Sequence, residues 1–412
     1  MKIYNLIYRP ISNLIGLALY PIALFNKRLK EHTRALIPKF SNSLWFHASS
    51  VGEINGLKPL LERIIENYPQ ENIIVTTMTT TGRNVAQQIS PKISTSLVPF
   101  DSSFLVKKFI RKINPKILIL AETELWFSMI NECSKLGIPI MLSNARISNR
   151  SFPRYLKHKR IFGPLLKRIE IILAQSQLDK ERFEDIGAEN VILGGNLKFC
   201  VNLPKFDTPE LRKEYGYHED DLIITWGSSR PGEELLMINS FFKLREEFPN
   251  IKLILVLRHI SRIKEVEAIL ETDDYTILSN FTPGKPILLV DTMGVLNQFY
   301  AISDISIVGG SFCDFGGHNP LEPAFYSKPT IIGEYHSSCQ DSVDKLSDNG
   351  AIIISKDDKL LSDLRFMIEN YGSRKTLGEK ANLTLNIHAN ALDINLQEFD
   401  KIHKRISRNL NK

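Results

Sequence analysis

The stretch "SLWFHASSVGEINGLKPLLERIIENYPQENIIVTTMT" (residues 43–79) decides the fold, because it alternates between two kinds of pattern. Residues 43–49 form an apolar run typical of a strand, residues 54–68 follow a helical spacing, and residues 72–79 form a second, β-branched run. Strands that are apolar throughout and separated by a helix are typical of a parallel sheet covered on both faces. The stretch therefore predicts a βαβ unit of a doubly wound α/β domain.

The same alternation continues in two blocks separated by residues 201–221, which are polar, contain two prolines and predict a linker with one short helix. We therefore expect an α/β fold with two Rossmann-like doubly wound domains facing a cleft. Further strands are predicted at 116–122, 138–144, 169–176 and 191–196, and then at 222–229, 251–259, 275–280, 287–294, 305–312, 329–334 and 351–355. The predicted segments are residues 1–30, 31–205, 206–385 and 386–412, the last being a helix with a basic tail.

The composition is that of a folded protein, since 43% of the 412 residues are hydrophobic and 24% are charged. A net charge of +6 is mild for this length, and no Lys/Arg block interleaved with aromatic residues indicates nucleic-acid binding. The four cysteines are scattered, without a Cys-x-x-Cys pair or a His/Cys cluster spaced for zinc. We expect four reduced thiols and no nucleic-acid partner.

The N-terminal region is unusually apolar. Residues 11–25 carry no charge and precede a basic cluster at residues 27–30. Counted from Ile3, the apolar stretch reaches the roughly 20 residues that a membrane crossing needs, although one arginine and two prolines interrupt it. A removed signal peptide would have a small-residue cleavage site where the basic cluster stands. We predict a retained membrane anchor, spanning or interfacial, with its basic flank at the anionic cytoplasmic leaflet; the alternative is an N-terminal core helix.

Glu53 in the opening stretch has two interpretations. Ser50 and Glu53 have the Ser-x-x-Glu spacing of a capping box ahead of an amphipathic helix, which requires no function. A carboxylate at a strand-to-helix turn beside a glycine is also where a catalytic base would lie. The local sequence supports both.

Charged residues follow two other strands of the first block. "AETELW" (121–126) places Glu122 and Glu124 on one side of an extended chain, or on neighbouring sides if a helix begins there. "GGNLKF" (194–199) ends the last strand with Lys198. For any one of them alone, an exposed loop charge is the favoured explanation. Because the ends of parallel strands meet at one edge, we expect Glu53, Glu122 and Lys198 to converge. A carboxylate base with electrostatic stabilisers is what group transfer requires.

The second block contains a glycine-rich segment, "GGSFCDFGGHNPLEP" (309–323), between a predicted strand and a helix. Asn319, Pro320 and Glu322 suit the N-cap, first and third helical positions, which is a complete structural explanation. The glycines, with Ser311 between them, would also allow close approach of a ligand, and N–H groups at a helix N-terminus attract phosphate. Glu322 would then accept hydrogen bonds from ribose hydroxyls.

Three other strand ends of this block are candidates for the same ligand. Arg258 and His259 form a cationic pair suited to a phosphate, and Arg230 stands at a turn before a helix. "DTMG" (291–294) offers backbone groups that would meet a base edge. Solvated loops explain each of these features nearly as well.

Six motifs occur in the order found in the bacterial 3-deoxy-D-manno-octulosonic acid (Kdo) transferases: "HASSVGE", "AETELW", "NARIS", "GGNLKF", "DTMG" and "GGHNPLEP". The chain resembles that family over nearly its whole length. The resemblance implies a GT-B glycosyltransferase with an N-terminal inner-membrane anchor on the cytoplasmic side. It implies transfer of Kdo from CMP-Kdo to the lipid A precursor, lipid IVA, in lipopolysaccharide synthesis. Residues 31–205 would be the acceptor domain and residues 206–385 the donor domain.

The resemblance also assigns roles to residues. Glu53 matches the family's proton acceptor, and Glu122 and Lys198 match its transition-state stabilisers. Phe127 stands where many relatives have a proline, which changes a turn but no candidate group. The candidates for CMP binding are Arg258, His259, Met293, Gly294, Val295, Asn319, Pro320, Leu321 and Glu322, with Arg230 as a weaker match and Ser311 from the glycine-rich segment.

Chemistry and resemblance together suggest a mechanism. Glu53 would take the proton of an acceptor 6'-hydroxyl as it attacks the anomeric carbon of Kdo, which inverts the donor's configuration. No Asp-x-Asp pair is placed for a metal, and fixed cations would suffice for one phosphate, so no metal or cofactor is expected. Arg146, Arg150 and Lys159 are predicted to meet lipid phosphates. Two alternatives remain open: a GT-B transferase using a UDP-sugar, and a catalytically silent, membrane-tethered nucleotide-binding protein.

Overall fold

A computed structural model describes residue 6 and residues 8–23, 25–34, 37–270 and 272–410. The chain divides into two compact units. The first unit comprises Met1–Cys200 together with Asn390–Lys412, and the second comprises Val201–Ala389. The boundary lies five residues before the predicted one at 205/206.

The first unit is built on a parallel sheet of seven described strands in the order β3-β2-β1-β4-β5-β6-β7. Its strands are β1 (Ser43–His47), β2 (Ile73–Thr77), β3 (Ile93–Leu97), β4 (Pro115–Ala121), β5 (Ile140–Ala145), β6 (Ile171–Ala174) and β7 (Val191–Leu193). Its helices before the second unit are α1 (Arg9–Ile22), α2 (Lys27–Arg34), α3 (Val51–Asn67), α4 (Thr80–Ile89), α5 (Ser103–Ile113), α6 (Phe127–Lys135), α7 (Phe152–Lys157), α8 (Lys159–Leu166) and α9 (Gln177–Ile186).

Strand β1 lies at the centre of this sheet, and all five of its residues are buried. It pairs in parallel with β2 on one side and with β4 on the other, so the strand order reverses between β1 and β4. Ligands of doubly wound sheets bind beyond the carboxyl ends of the strands at such a reversal. The segments that follow β1 and β4 are the ones that carry Glu53 and Glu122.

The second unit repeats the architecture with the described strands in the order β10-β11-β9-β8-β12-β13-β14. Its strands are β8 (Leu222–Ser229), β9 (Ile251–Leu257), β10 (Tyr275–Ile277), β11 (Ile287–Val290), β12 (Ile305–Val308), β13 (Thr330–Gly333) and β14 (Ile353–Ser355). Its helices are α10 (Thr208–Glu214), α11 (Glu233–Glu247), α12 (Ile263–Leu270), α13 (Leu296–Ile302), α14 (Leu321–Phe325), α15 (Gln340–Asp348), α16 (Leu360–Glu369) and α17 (Tyr371–Asn386).

The predicted pair of parallel α/β domains is confirmed, with one strand missing from the prediction. Strand β3 reads "ISTSL", and its three consecutive polar residues resemble a loop in the sequence. It forms because β2 offers it a parallel partner at the edge of the sheet. An edge strand faces less apolar surface than a central one, so its sequence is less hydrophobic.

The C-terminal helix belongs to the first unit. Helix α18 (Ala391–Leu410) follows the second unit in sequence, but its Phe399 and Asn395 are fully buried against the first. The Tyr68 hydroxyl donates to Asp400, and His403 contacts Glu71. One face of the helix is apolar enough to cover the first sheet, while its basic residues remain outside. The predicted end of the tail, residues 411 and 412, lies outside the described residues.

The N-terminal region forms a short helix that exposes its apolar side chains. Among the described residues, no helix is both long enough and apolar enough to cross a membrane. Helix α1 buries its small residues Ser12 and Gly16, and a Cβ at Gly16 would lie 2.7 Å from the Ser102 hydroxyl oxygen. Ile11, Leu14 and others stay more than half exposed, unlike a core helix. The spanning form of the predicted anchor is unsupported, and the interfacial form stays a prediction; residues 1–5, 7 and 24 of that segment lie outside the described residues.

Candidate active site

Glu53 is held as both a cap and a partly buried carboxylate at the start of α3. Ser50 is the N-cap residue: its hydroxyl oxygen accepts the Glu53 N–H and also donates to Oε1 of Glu53 over 3.0 Å. The Ser49 N–H donates to Oε2 over 2.8 Å, so the carboxylate reaches one residue further back than in a standard capping box. Burial, followed by the nearby Glu124 charge, raises the pKa of Glu53 to about 7. A carboxyl that titrates near neutrality is suited to act as a general base.

Glu122 follows β4 and is paired with cations. Its Oε1 lies 2.9 Å from Nζ of Lys198, and its Oε2 lies 3.7 Å from Nε of Arg146. Glu122 has a φ of 47°, in the left-handed region that non-glycine residues rarely adopt. Such strained residues concentrate at functional sites, where the surrounding structure holds them.

Glu124 lies in a different environment from Glu122. It accepts hydrogen bonds from the Ser49 hydroxyl and the Trp126 indole N–H, and its Oε2 lies 3.5 Å from Nε2 of the buried His47. Sequence alternation placed Glu122 and Glu124 on one side of the chain. The left-handed turn at Glu122 breaks that extended geometry, so the two carboxylates have separate sets of partners.

The three predicted catalytic residues therefore come together, since Glu122 contacts Lys198 and its charge acts on Glu53. Two positioning residues were missed. Asn144, also left-handed with a φ of 54°, accepts the Leu197 N–H through its side chain and so fixes the loop before Lys198. A Cβ at Gly56 would lie 3.3 Å from Cε of Lys198. A glycine inside the helical pattern of α3 was the available signal for this close approach.

The second unit has a pocket of about 330 Å³ at the carboxyl ends of its strands. Five of the predicted CMP-binding residues line it: Arg258, Met293, Gly294, Asn319 and Glu322. The other predicted residues do not line it: Arg230, His259, Val295, Ser311, Pro320 and Leu321. Thr292, from the predicted "DTMG" segment, also lines the pocket. Sequence analysis did not select the remaining lining residues, which are Ser228, Val256, Leu257, Leu296, Asn297, Tyr300 and His318.

Positive charge collects beside this pocket. The Arg230 guanidinium lies 2.7 Å from Nε2 of His259 and 5.2 Å from the Phe315 ring centroid. Burial, and then the charges of Arg258 and Arg230, lowers the pKa of His318 to about 4. The Nε2 of His318 is buried without a hydrogen-bond partner among the described residues. His318 is therefore a neutral imidazole at physiological pH.

The glycine-rich segment is tied down internally by Glu233, at the start of α11. This fully buried carboxylate accepts the backbone N–H groups of Gly310, Ser311 and Phe312. The Ser311 hydroxyl is also fully buried, donates to the Val308 carbonyl and accepts the Gly333 N–H. These N–H groups are thus not free for a phosphate, and Ser311 does not reach the pocket. Sequence reasoning could not find this because Glu233 lies far from the segment in the chain.

The cap of the next helix is displaced by one residue from its predicted position. Helix α14 begins at Leu321, and Asn319 accepts the Leu321 N–H through its side-chain oxygen. Burial raises the pKa of Glu322, although Asn319 and the charge of Arg258 oppose the shift. Asn319 therefore combines a capping role with a place in the pocket wall, next to Glu322. Within the described ranges, no group of three or more His, Cys, Asp or Glu residues is arranged to hold a metal ion.

Comparisons with known proteins agree with these features. Residues 24–201 match the model of a family described as 3-deoxy-D-manno-octulosonic-acid transferase (kdotransferase). A 3-deoxy-D-manno-octulosonic acid transferase of Haemophilus influenzae is 33% identical over 309 residues, covering 71% of this chain and 70% of that protein. A bifunctional glycosyltransferase/methyltransferase of Fusobacterium nucleatum is 37% identical over 331 residues, covering 77% of this chain and 50% of that protein. This chain thus spans half of the length of the bifunctional relative.

Among solved structures, the UDP-GlcNAc 2-epimerase of Neisseria meningitidis bound to UDP-GlcNAc has a TM-score of 0.53 at 14% identity. The alignment covers 87% of this chain and 100% of that one. At this identity the similarity concerns the fold alone. It agrees with two parallel α/β units of the kind found in GT-B glycosyltransferases.

Proposed function

Because the chain belongs to the family of 3-deoxy-D-manno-octulosonic acid (Kdo) transferases, we propose that it transfers Kdo from CMP-Kdo to the lipid A precursor lipid IVA. The observation that carries the proposal is the cluster of Glu53, Glu122 and Lys198 at the strand reversal of the first unit. This cluster contains a carboxyl that titrates near pH 7 beside a fixed ion pair. Those are the groups that hydroxyl activation and charge stabilisation require.

In the proposed reaction, Glu53 accepts the proton of an acceptor hydroxyl. The hydroxyl oxygen forms a bond to the anomeric carbon of Kdo while the bond from that carbon to the CMP phosphate oxygen breaks. CMP leaves with the bonding electrons, and the attack from the opposite side inverts the configuration. Ser49 and Ser50 orient the carboxylate by hydrogen bonds to both of its oxygens.

Lys198 and Glu122 stabilise charge in this proposal. Lys198 presents an ammonium group that is held by Glu122 rather than by solvent, since the two side chains are less than one-fifth exposed. A cation held in place before the reaction stabilises developing negative charge without reorganising. Arg146 adds a second cation next to Glu122.

The second unit would bind the CMP part of the donor. Its pocket combines Arg258 with the hydrogen-bonding groups of Asn319 and Glu322, which suit a phosphate and a ribose respectively. Arg230 adds positive charge near the pocket, and its guanidinium contacts Nε2 of His259. Because the leaving group carries one phosphate, these fixed cations would suffice without a metal ion.

We assign the lipid-facing surface to α1 and the α7–α8 segment, on the cytoplasmic side of the inner membrane. The Phe127 ring contacts Tyr8, just before α1, and Phe162 in α8, at centroid distances of 5.1 and 5.6 Å. Phe127 thus connects the residue before α1, a helix with exposed apolar side chains, to α8, which carries exposed basic side chains. Apolar contact and attraction to anionic head groups reinforce each other at a membrane surface.

The test is incubation of the purified protein with freshly made CMP-Kdo and tetraacylated lipid A precursor, with products identified by mass. A mass increase of one or more Kdo units supports the proposal, and no product with active donor and acceptor contradicts it. Competition separates the alternatives. Inhibition by CMP but not by UDP supports the donor assignment, whereas inhibition by UDP alone would indicate a UDP-sugar transferase. Nucleotide binding without transfer to any acceptor would indicate a silent binding protein.

A further inference from the structure

Ser49 joins two carboxylates of the candidate active site. Its backbone N–H donates to Oε2 of Glu53 over 2.8 Å, and its hydroxyl donates to Oε2 of Glu124 over 2.6 Å. One residue thus contacts both the proposed base and a second carboxylate that follows the neighbouring strand. Placing two carboxylates this close disfavours ionisation of both.

Glu124 is held in this position by further contacts. The Trp126 indole N–H donates to the same oxygen that accepts from Ser49, and the edge of that ring packs on His47 at a centroid distance of 5.7 Å. His47 is fully buried, and its Nε2 lies 3.5 Å from Oε2 of Glu124. The Glu124 side chain is 19% exposed, so water does little to screen its charge.

His47 is oriented by Thr76. The Thr76 hydroxyl donates to the Phe46 carbonyl, and it therefore faces Nδ1 of His47 as an acceptor, beside the Thr76 carbonyl oxygen. These partners orient Nδ1 as the donor and leave Nε2 3.5 Å from Oε2 of Glu124, without a hydrogen bond. The ring therefore attracts the carboxylate when Nε2 carries a proton as well.

We propose that Glu124 is a positioning residue for Glu53: it fixes the base through Ser49, and its negative charge sets the pH range in which Glu53 accepts a proton. The kinetic part of this inference rests on the proposed function. The positional part does not, because it concerns a carboxyl group of the free protein.

The charged groups around Glu53 support this assignment. Glu122 also faces Glu53, but two cations, Lys198 and Arg146, compensate its charge. The hydrogen-bond donors of Glu124, Ser49 and Trp126, are neutral, and His47 compensates its charge only when the imidazole is protonated. The other titratable groups near Glu124 are His47 and Tyr155, the latter next to Arg154, and Asp101 interacts electrostatically with His47.

The pKa values of Glu124 and Glu53 are accordingly shifted in opposite directions. Burial acts to raise the pKa of Glu124, but the electrostatic interaction with His47 and the hydrogen bonds from Ser49 and Trp126 outweigh it and lower that pKa. Burial and the Glu124 charge raise the pKa of Glu53 to about 7. Paired carboxyls with opposite shifts are a recurrent way of assigning the acid and base roles in one site.

Glu124→Gln tests the inference, since the amide oxygen still accepts from Ser49 and Trp126 while the charge is removed. Titration of ¹³C-labelled glutamate carboxyls, with the Glu53 signal assigned from its absence in Glu53→Gln, needs no substrate. We expect the Glu53 midpoint to move down by about one pH unit. An unchanged midpoint overturns the assignment.

The kinetic arm uses the same variant. The acidic limb of the kcat/KM profile for Kdo transfer should move to lower pH by the same amount, without a change in the KM for CMP-Kdo. A moved titration without any detectable transfer by the wild-type protein would refute the proposed function and keep the positional inference. A moved titration with an unmoved profile would overturn the kinetic part.

Two further variants separate positioning from general damage. Ser49→Ala removes the contact to Glu124 but keeps the N–H to Glu53, and we expect kcat to fall about tenfold with a smaller shift of the midpoint. Glu132→Gln is the matched control, because Glu132 is a buried carboxylate of the same unit that accepts from the Ser103 hydroxyl. It should leave the Glu53 midpoint unchanged; a shift equal to that of Glu124→Gln would contradict the inference.

Discussion

The Nζ of Lys198 lies 2.9 Å from Oε1 of Glu122, although the two residues end different strands of the first sheet. Lys198 belongs to a short 3-10 helix (Leu197–Phe199) that is held by the side chain of Asn144, and Glu122 stands in a left-handed turn. The ion pair is therefore built by two strained or capped loops and not by flexible surface side chains. Because these contacts hold the ion pair in place, substitutions that displace Lys198 or Glu122 test its catalytic role.

Glu53→Gln should abolish transfer, because an amide cannot accept the acceptor's proton, while its oxygen can still accept from Ser49. Stability should change with pH. The raised pKa of Glu53 means that the folded state binds the proton more tightly, a contribution fully present below about pH 4.5 and lost as pH rises through 7. Relative to wild type, the free energy of unfolding of the variant should therefore increase by about 1–3 kcal/mol as pH rises from 5 to 8. Thermal unfolding of both proteins across this pH range measures the effect. If the Tm of the two proteins changes with pH in parallel, or if the variant keeps near-normal turnover, Glu53 is only a cap.

Gly56→Ala should lower activity without lowering stability. Alanine favours a helix interior over glycine by up to about 1 kcal/mol, but the new Cβ would lie 3.2 Å from Asn144 Nδ2 and 3.3 Å from Lys198 Cε. We expect kcat to fall about tenfold through displacement of Lys198, with an unchanged Tm. Gly52→Ala, whose Cβ would meet only Ser50 at 3.9 Å, is the control. Equal kcat values for the two variants would show that the close approach at Gly56 does not matter.

Arg258→Ala should weaken CMP binding by about 10- to 100-fold, the usual effect of losing a charge-assisted hydrogen bond to a phosphate. Calorimetric titration with CMP measures the affinity directly and does not depend on an acceptor. Lys252→Ala is the matched control, because Lys252 lies near the opposite end of the same strand, β9, and pairs with Asp221. Wild-type affinity in Arg258→Ala would remove the pocket from the donor site.

Chelation should leave transfer unchanged. We propose that Arg258 and Arg230 stabilise the leaving phosphate, with Arg230 in contact with His259. Neither guanidinium needs a metal ion to do so. The measurement is the initial rate after treatment with EDTA, with added magnesium as the comparison. Loss of activity that magnesium restores would show that the side-chain cations do not suffice.

Charge reversal at Arg150 or Lys159 should raise the apparent KM for the lipid acceptor more than the KM for CMP-Kdo. Both side chains are exposed around the α7–α8 segment, where they would meet lipid phosphates. Lys404→Glu, an exposed change on α18, controls for net charge. A rise in both Michaelis constants, or in neither, would exclude this surface as the acceptor's docking site.

The local patterns of the sequence were sufficient for most elements of both sheets. Apolar runs such as residues 222–229 coincide with β8, because a strand buried on both faces must be hydrophobic throughout. The capping interpretation of Ser50 and Glu53 also followed from a spacing of three residues. The edge strand β3 was missed because half-buried edges tolerate polar residues that resemble a loop.

The sequence by itself thus determined the two α/β units, the strand ends that carry Glu53, Glu122 and Lys198, and the family, because each depends on residues close together in the chain. Only the tertiary structure decided which groups meet across long separations. In the structure, Ser49 donates to both Glu53 and Glu124, and the Ser311 N–H donates to Glu233. Helix α18 packs with the first unit although it follows the second in sequence. Such contacts depend on strand order and burial, which fix distances between segments that no local spacing encodes.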